Sequence, residues 1–208
     1  MSEPKWLGWV RLLESLAQTG LSYTQNPYDQ QRYQQLLDLA AEMAASLSEA
    51  DDELVRGLFA GNVGPGTPKV DVRGVVFKDD AVLMVRETSD SHRWTLPGGW
   101  ADVNETPSEA TVREIFEESG YRTRPVKLLA LYDKTRQDQP PDFYYIYKVF
   151  FLCELTGGTA QGSLETSEVA FFKEDEIPQE LSLGRVTHRQ LKRFFEHHRQ
   201  PDLPTDFD

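Results

Sequence analysis

Trp6, Trp9, Val10, Leu13, Leu16 and Ala17 recur at spacings of three, four and seven residues, which predicts an amphipathic helix from about Pro4 to Gln18, stopped by Gly20. Asn26 before Pro27 reads as an N-cap and first helical position. The helix it opens carries Tyr33, Leu36, Leu37, Ala40, Met43, Ala44 and Leu47 on its apolar face. A short third helix contains Leu54, Val55, Leu58 and Phe59. The stretch Gly61-Asn62-Val63-Gly64-Pro65-Gly66-Thr67-Pro68 is dense in residues that punctuate structure, so a linker is expected there. It divides a helical part, residues 1–62, from an α/β part, residues 68–200.

Beyond the linker the pattern changes to strands. Val70, Val72 and Gly74 to Phe77 predict one, Lys78-Asp79-Asp80 a turn, and Ala81 to Val85 a returning strand. Further strands are expected over Val126–Tyr132, Tyr144–Glu154 and Glu168–Phe172. A closing helix begins near Thr187 with Leu191, Phe194 and Phe195 facing inward.

Composition narrows the function. With 208 residues the chain can hold one ordinary domain and a smaller accessory one. No apolar run approaches the roughly 20 residues that cross a bilayer, and the N-terminus with Glu3 does not read as a signal peptide, so a cytoplasmic protein without membrane contact is expected. The single cysteine, Cys153, lies in the apolar run Val149–Cys153 and reads as a buried, inert thiol. A formal net charge of −12 opposes attraction to duplex DNA. It is compatible with phosphorylated substrates held through metal ions, because a bound cation reverses the local field.

The chemistry concentrates between the early and late strands. Thr106-Pro107-Ser108-Glu109 forms a capping box with proline at the first helical position, and Gly120 suits a left-handed C-terminal cap, so a helix is expected over Pro107–Ser119. At about 100° per residue Glu114, Glu117 and Glu118 share one face, with Val112, Ile115, Phe116 and Ser119 opposite, toward a core. Three like charges so spaced destabilise a bare helix, so something positive is required. Mg²⁺, which takes oxygen ligands and keeps water positions open, is the natural candidate, with Mn²⁺ as the alternative.

The full run Gly99-x5-Glu105-x7-Arg113-Glu114-x2-Glu117-Glu118-x-Gly120 resembles the signature of the Nudix hydrolases at every fixed polar and glycine position; Tyr121 replaces the bulky aliphatic residue usual there. The resemblance implies an α/β/α sandwich with a curved mixed sheet over roughly Val70–His198, preceded here by a small all-α domain. It implies that Glu114, Glu117 and Glu118 bind metal together with the backbone carbonyl of Gly98. Gly99, Glu105, Arg113 and Gly120 then organise the motif. Such ions would neutralise phosphoryl oxygens and activate an in-line water, leaving a carboxylate to take its proton. The candidates for that base are Glu118 and Glu114, then Glu165 and Glu168.

Family substrates are nucleoside diphosphates linked to another group. Trp94, Trp100, Phe143, Tyr144 and Tyr145 could stack a base, and Arg86, Lys134 and Arg136 could meet phosphates. Alternation along Phe143–Val149 places some of those aromatics in the core. His92, His188, His197 and His198 show no ligand spacing and are expected to be exposed. A helical unit before a complete Nudix domain resembles the bacterial ADP-ribose or CDP-choline pyrophosphatases, which ranks those substrates first. The helical unit has more apolar face than it can cover alone, with Trp6 and Trp9 as anchors, so a homodimer is expected whose arms help shape the substrate site.

Two other classes were weighed. An enzyme acting on RNA ends or chains would use the same metals, but only Lys134–Tyr147 offers a thin basic stretch with aromatics. A nucleotide-sensing regulator without catalysis would lose its carboxylates and need a basic recognition helix. The carboxylates are intact, and the closing helix, with His188, Arg189, Lys192 and Arg193, is followed by the acidic tail Asp202–Asp208.

Overall fold

The computed structural model describes residues 3–48, 50–62 and 64–208, and of residue 52 the backbone alone. Val63 of the expected linker lies outside the described residues. The chain forms two compact units: residues up to Pro68 together with Pro141–Tyr145, and Lys69–Pro140 together with Ile146–Asp208. Among the described residues no helix is long and apolar enough to cross a membrane.

The first unit contains α1 (Lys5–Tyr23), α2 (Pro27–Leu47) and α3 (Asp52–Gly61). Gly20 does not stop α1. It lies within the helix, where a Cβ would come 2.4 Å from the Tyr33 ring, so glycine permits the close approach of α1 and α2. Asn26 caps α2 as expected, its Oδ1 accepting from the Tyr28 N–H at 2.9 Å. Val10, Ala17, Leu37, Ala40, Ala44, Val55 and Phe59 form the core of this unit, with Trp6 and Leu13 packed against it.

The single apolar face expected for α1 divides in two. Trp9, Leu12 and Leu16, at i, i+3 and i+7, are 60%, 58% and 56% exposed. Pro141–Tyr145, expected to begin a strand or supply stacking rings, instead completes this unit. Phe143 meets Phe59 edge to face at 6.5 Å, and Arg11 Nε donates to the carbonyls of Asp142 and Phe143 at 3.0 and 3.2 Å.

The second unit contains β1 (Lys69–Lys78), β2 (Ala81–Glu87), β3 (Trp94–Thr95), β4 (Gly98–Trp100), α4 (Pro107–Ser119), β5 (Tyr121–Asp133), β6 (Ile146–Gly158), β7 (Thr166–Lys173), α5 (His188–Arg199) and β8 (Asp206–Phe207). The sheet runs β3-β2-β1-β6-β5-β8, with β4 paired to β1 and β7 to β2. β1 and β6 are parallel and β5 pairs antiparallel with β6 through several register shifts, which bend the strand.

Alternation along β1 sends successive valines to opposite layers. Val75 packs with Phe150, Leu129 and the α5 residues Leu191, Phe194 and Phe195. Val76 packs with Leu83, Cys153 and Ile115 of α4. The helices therefore cover opposite faces of a mixed sheet, the expected sandwich. Cys153 is buried, and burial pushes its thiol up to about 12.

Two expectations fail near the C-terminal helix. His197 is buried rather than exposed, its Nε2 lying 3.3 Å from Asp206, and His198 stacks on Phe77 at 4.1 Å. The acidic tail is not a free charge run, because Asp206–Phe207 pairs with β5 and Asp206 takes a bidentate contact from Arg193 at 2.6 and 2.8 Å.

Candidate active site

The site is built where the loop after β3 meets α4. α4 has the boundaries its capping chemistry dictates: Thr106 and Glu109 form the reciprocal box, and Gly120 closes the helix at φ 74°. Its inward arc is Ala110, Thr111, Ile115, Glu118 and Ser119, so Glu118 shares the core side with Ile115 instead of opposing it. At about 100° per residue Glu118 and Ile115 are only about 60° apart, which the expected two-face division overlooked. Phe116, expected in the core, is half-exposed beneath the Arg122 guanidinium.

Gly98 sits at φ 144°, where a Cβ would lie 2.1 Å from the Val72 carbonyl oxygen, so β4 can pair with β1 at Arg73 only with glycine here. Its N–H donates to Glu118 Oε2 at 2.8 Å. Glu118 is 3% exposed. Burial pushes its carboxyl up to about 8, opposed by Arg73 and the Gly98 N–H and reinforced by Glu87 and Glu114. Glu114 lies against the neighbouring glycine, since a Cβ on Gly99 would be 3.0 Å from its Oε1. Its pKa is also raised, again chiefly by burial, against the pull of Arg113.

Arg113 supplies the positive charge the glutamate run requires. Its Nε donates to both Glu105 oxygens at 3.0 and 3.1 Å, and Nη1 reaches Glu114 at 2.8 Å and Glu117 at 3.0 Å. Glu117 itself is exposed.

Four buried charges escaped the sequence reading. Arg73 holds Asp71 through Nε at 2.7 Å and Nη2 at 3.1 Å, and donates to the Leu96 carbonyl at 3.2 Å. Lys148, wholly buried, donates to Asp71 at 3.1 Å and to the Gly184 carbonyl at 3.4 Å. Burial alone would raise Asp71, but Arg73 and Lys148 outweigh it and hold the carboxyl at about 2. Burial brings Lys148 down to about 8 despite Asp71. Glu87 is the fourth, accepting from the Ser89 hydroxyl at 3.0 Å. The available signal was Asp71 and Arg73 standing two apart in a strand otherwise rich in valine.

The remaining candidates scatter. Arg86 is bound to Glu168 at 2.5 Å and stands 5.9 Å over the Trp94 ring. Trp94 is 8% exposed and packs edge to face on Phe172, so it is a core residue and not an open stacking surface. Glu165 is exposed, and its carbonyl accepts from the Thr88 N–H at 2.8 Å. Trp100 is half-exposed on β4. Lys134 is buried, close enough to Lys148 to depress it, whereas Arg136 is exposed and lines a groove against α5. Tyr144 belongs to the segment that completes the helical unit.

Glu114 and Glu118 are hard oxygen donors whose charge is penalised by burial, which suits a hard divalent cation. Among the described residues no three acidic or histidine groups already converge on one point, and Arg113 grips Glu114 and Glu117.

Residues 67–195 match the NUDIX domain, and residues 4–59 match a family described as a UDP-X-like, N-terminal oligomerisation domain. The chain belongs to the Nudix hydrolases, enzymes that act on phosphorus-containing anhydrides and generally use divalent metal ions. It is 43% identical over 206 residues, 99% of its own length and 98% of the relative's, to YjhB of Bacillus subtilis (strain 168), provisionally named an ADP-ribose pyrophosphatase. An ADP-ribose pyrophosphatase structure from Streptococcus suis 89-1591 superposes with a TM-score of 0.63 at 37% identity, covering 68% of this chain and 100% of that one. A UDP-X diphosphatase structure matches with a TM-score of 0.62 at 30% identity, covering 100% of both chains.

Proposed function

We propose that the protein hydrolyses the diphosphate bridge of a nucleoside diphosphate joined to a second group, releasing a nucleoside monophosphate and a phosphorylated product. ADP-ribose ranks first, supported by the names of two relatives, followed by UDP-linked compounds and CDP-choline. The observation that carries the reading is the 2.8 Å bond from the Gly98 N–H to Glu118, which holds the signature loop against the carboxylates of α4.

In this reading Glu114, Glu117, Glu118 and the Gly98 carbonyl hold Mg²⁺, for which Mn²⁺ can substitute. The bound cation would neutralise the phosphoryl oxygens and lower the pKa of an attacking water. Arg113 keeps Glu114 and Glu117 in place from its anchor on Glu105. Glu118 and Glu114 flank the Gly98-Gly99 backbone and are the proton acceptors, since Glu168 is turned to Arg86. Arg73 sets the charge behind Glu118.

The test is incubation with Mg²⁺ and a panel of ADP-ribose, a UDP-sugar, CDP-choline, dinucleoside polyphosphates, NADH and short RNA, with products identified by mass. AMP from ADP-ribose is the expected result. Failure to release a nucleoside monophosphate from any of the linked diphosphates would overturn the reading.

We also propose that the Trp9, Leu12 and Leu16 stripe of α1 packs on a second copy, supported by its exposure and by the match of residues 4–59 to an oligomerisation domain. Light scattering should give twice the chain mass. Trp9→Glu with Leu16→Glu should give a single chain with its helical circular dichroism retained. A wild type that stays monomeric at micromolar concentration would contradict the proposal.

A further inference from the structure

A groove of about 550 Å³ lies between the end of β5, α5 and β8. None of its lining residues belongs to the carboxylate site, and α5 covers the sheet face opposite α4. Its size falls within the usual range for small-molecule sites, roughly 300–1,000 Å³.

The wall carries an unanswered donor. Gln190 is 2% exposed, and its Oε1 is committed to the capping box, accepting from the Thr187 N–H at 3.0 Å. That bond fixes which end of the amide is oxygen, so the remaining group is the NH₂, and its Nε2 has no hydrogen-bond partner. A buried donor left unmade costs about 1–3 kcal/mol, so an acceptor is called for at this wall.

The charge around that donor is positive, although the chain as a whole is strongly acidic. Asp206 and Glu196 are engaged by Arg193, and Asp208 accepts from Gln137 Nε2 at 2.7 Å. Arg136 and Lys192 line the same groove and make no hydrogen bond or ion pair among the described residues. Phe207, 78% exposed, offers a ring face on the β8 side.

We propose that this groove binds a mononucleotide-class ligand, its phosphate met by Arg136 and Lys192, its acceptor atoms by Gln190, and its base stacked on Phe207. The site is independent of the hydrolytic reading. It is tested by titrating AMP, adenosine and inorganic phosphate in EDTA into full-length protein labelled with ¹⁵N-glutamine, following the Gln190 side-chain amide, which reports this groove alone.

AMP is expected to shift that signal with an affinity at least tenfold above those of phosphate and adenosine. Arg136→Ala with Lys192→Ala should weaken AMP at the groove by at least tenfold. Gln190→Glu retains the capping acceptor but replaces the donor with a carboxylate. In that variant AMP should no longer perturb the amide signals of Gln137 and Gln139, with the melting of α5 unchanged. An unmoved Gln190 amide at millimolar AMP, an equal response to AMP and phosphate, or full affinity in the double variant would each overturn the proposal.

Discussion

Replacing Glu118 with Gln is expected to lower kcat on the preferred diphosphate by roughly 10²–10⁴-fold, the loss that accompanies removal of a positioned general base. The substitution is nearly isosteric, and the amide oxygen can still accept from the Gly98 N–H, so the loop stays on the helix. Stability should hold or rise, because the charge being removed is one that burial disfavours. Steady-state kinetics beside a thermal melt separate the two effects. A kcat reduced less than tenfold in a fully folded variant would take Glu118 out of the chemistry. Glu168→Gln tests the alternative base, and the larger loss should fall on Glu118.

The largest effect on stability is expected from Asp71→Asn, which leaves Arg73 and Lys148 buried without their shared counter-charge. Breaking a buried ion pair on one side typically costs about 3–5 kcal/mol. Urea unfolding in EDTA measures it, and a loss below about 1 kcal/mol would show that the network contributes little. The sign of the pH dependence follows from Asp71, held at about 2 in the folded protein. Its contribution is complete above the ordinary carboxylate value of about 3.9 and is lost as pH falls toward and through the folded one. The gap between wild type and variant should therefore narrow in strong acid.

These two residues also mark what sequence could and could not disclose. Glu118 was legible because its spacing to Gly99, Arg113 and Gly120 is local, and α4 was legible to the residue because capping boxes and left-handed glycines are chemistry of adjacent positions. Its burial was not legible, since that depends on how the helix is rotated against β1 and β4. Asp71 and Lys148 are 77 residues apart and meet only through the parallel register of β1 and β6. β3, β4 and β8 are too short to show a period. Pro125 and the register shifts of β5 hid the true length of that strand. Trp6 and Trp9 looked equivalent along the chain, yet one packs inward and the other is exposed.

The segment Pro141–Tyr145 carries a consequence for modularity. The Pro-Gly linker looks like a joint at which the two units could be exchanged between proteins, but the helical unit is discontinuous in sequence. Cutting at Pro68 would strip Phe143 of Phe59 and the Asp142 and Phe143 carbonyls of Arg11. A recombination event that moved residues 1–68 alone would thus leave an aromatic ring bare in the loop that feeds β6. Units of this kind can be inherited together or redesigned together, and a successful chimera must carry the loop with the helices.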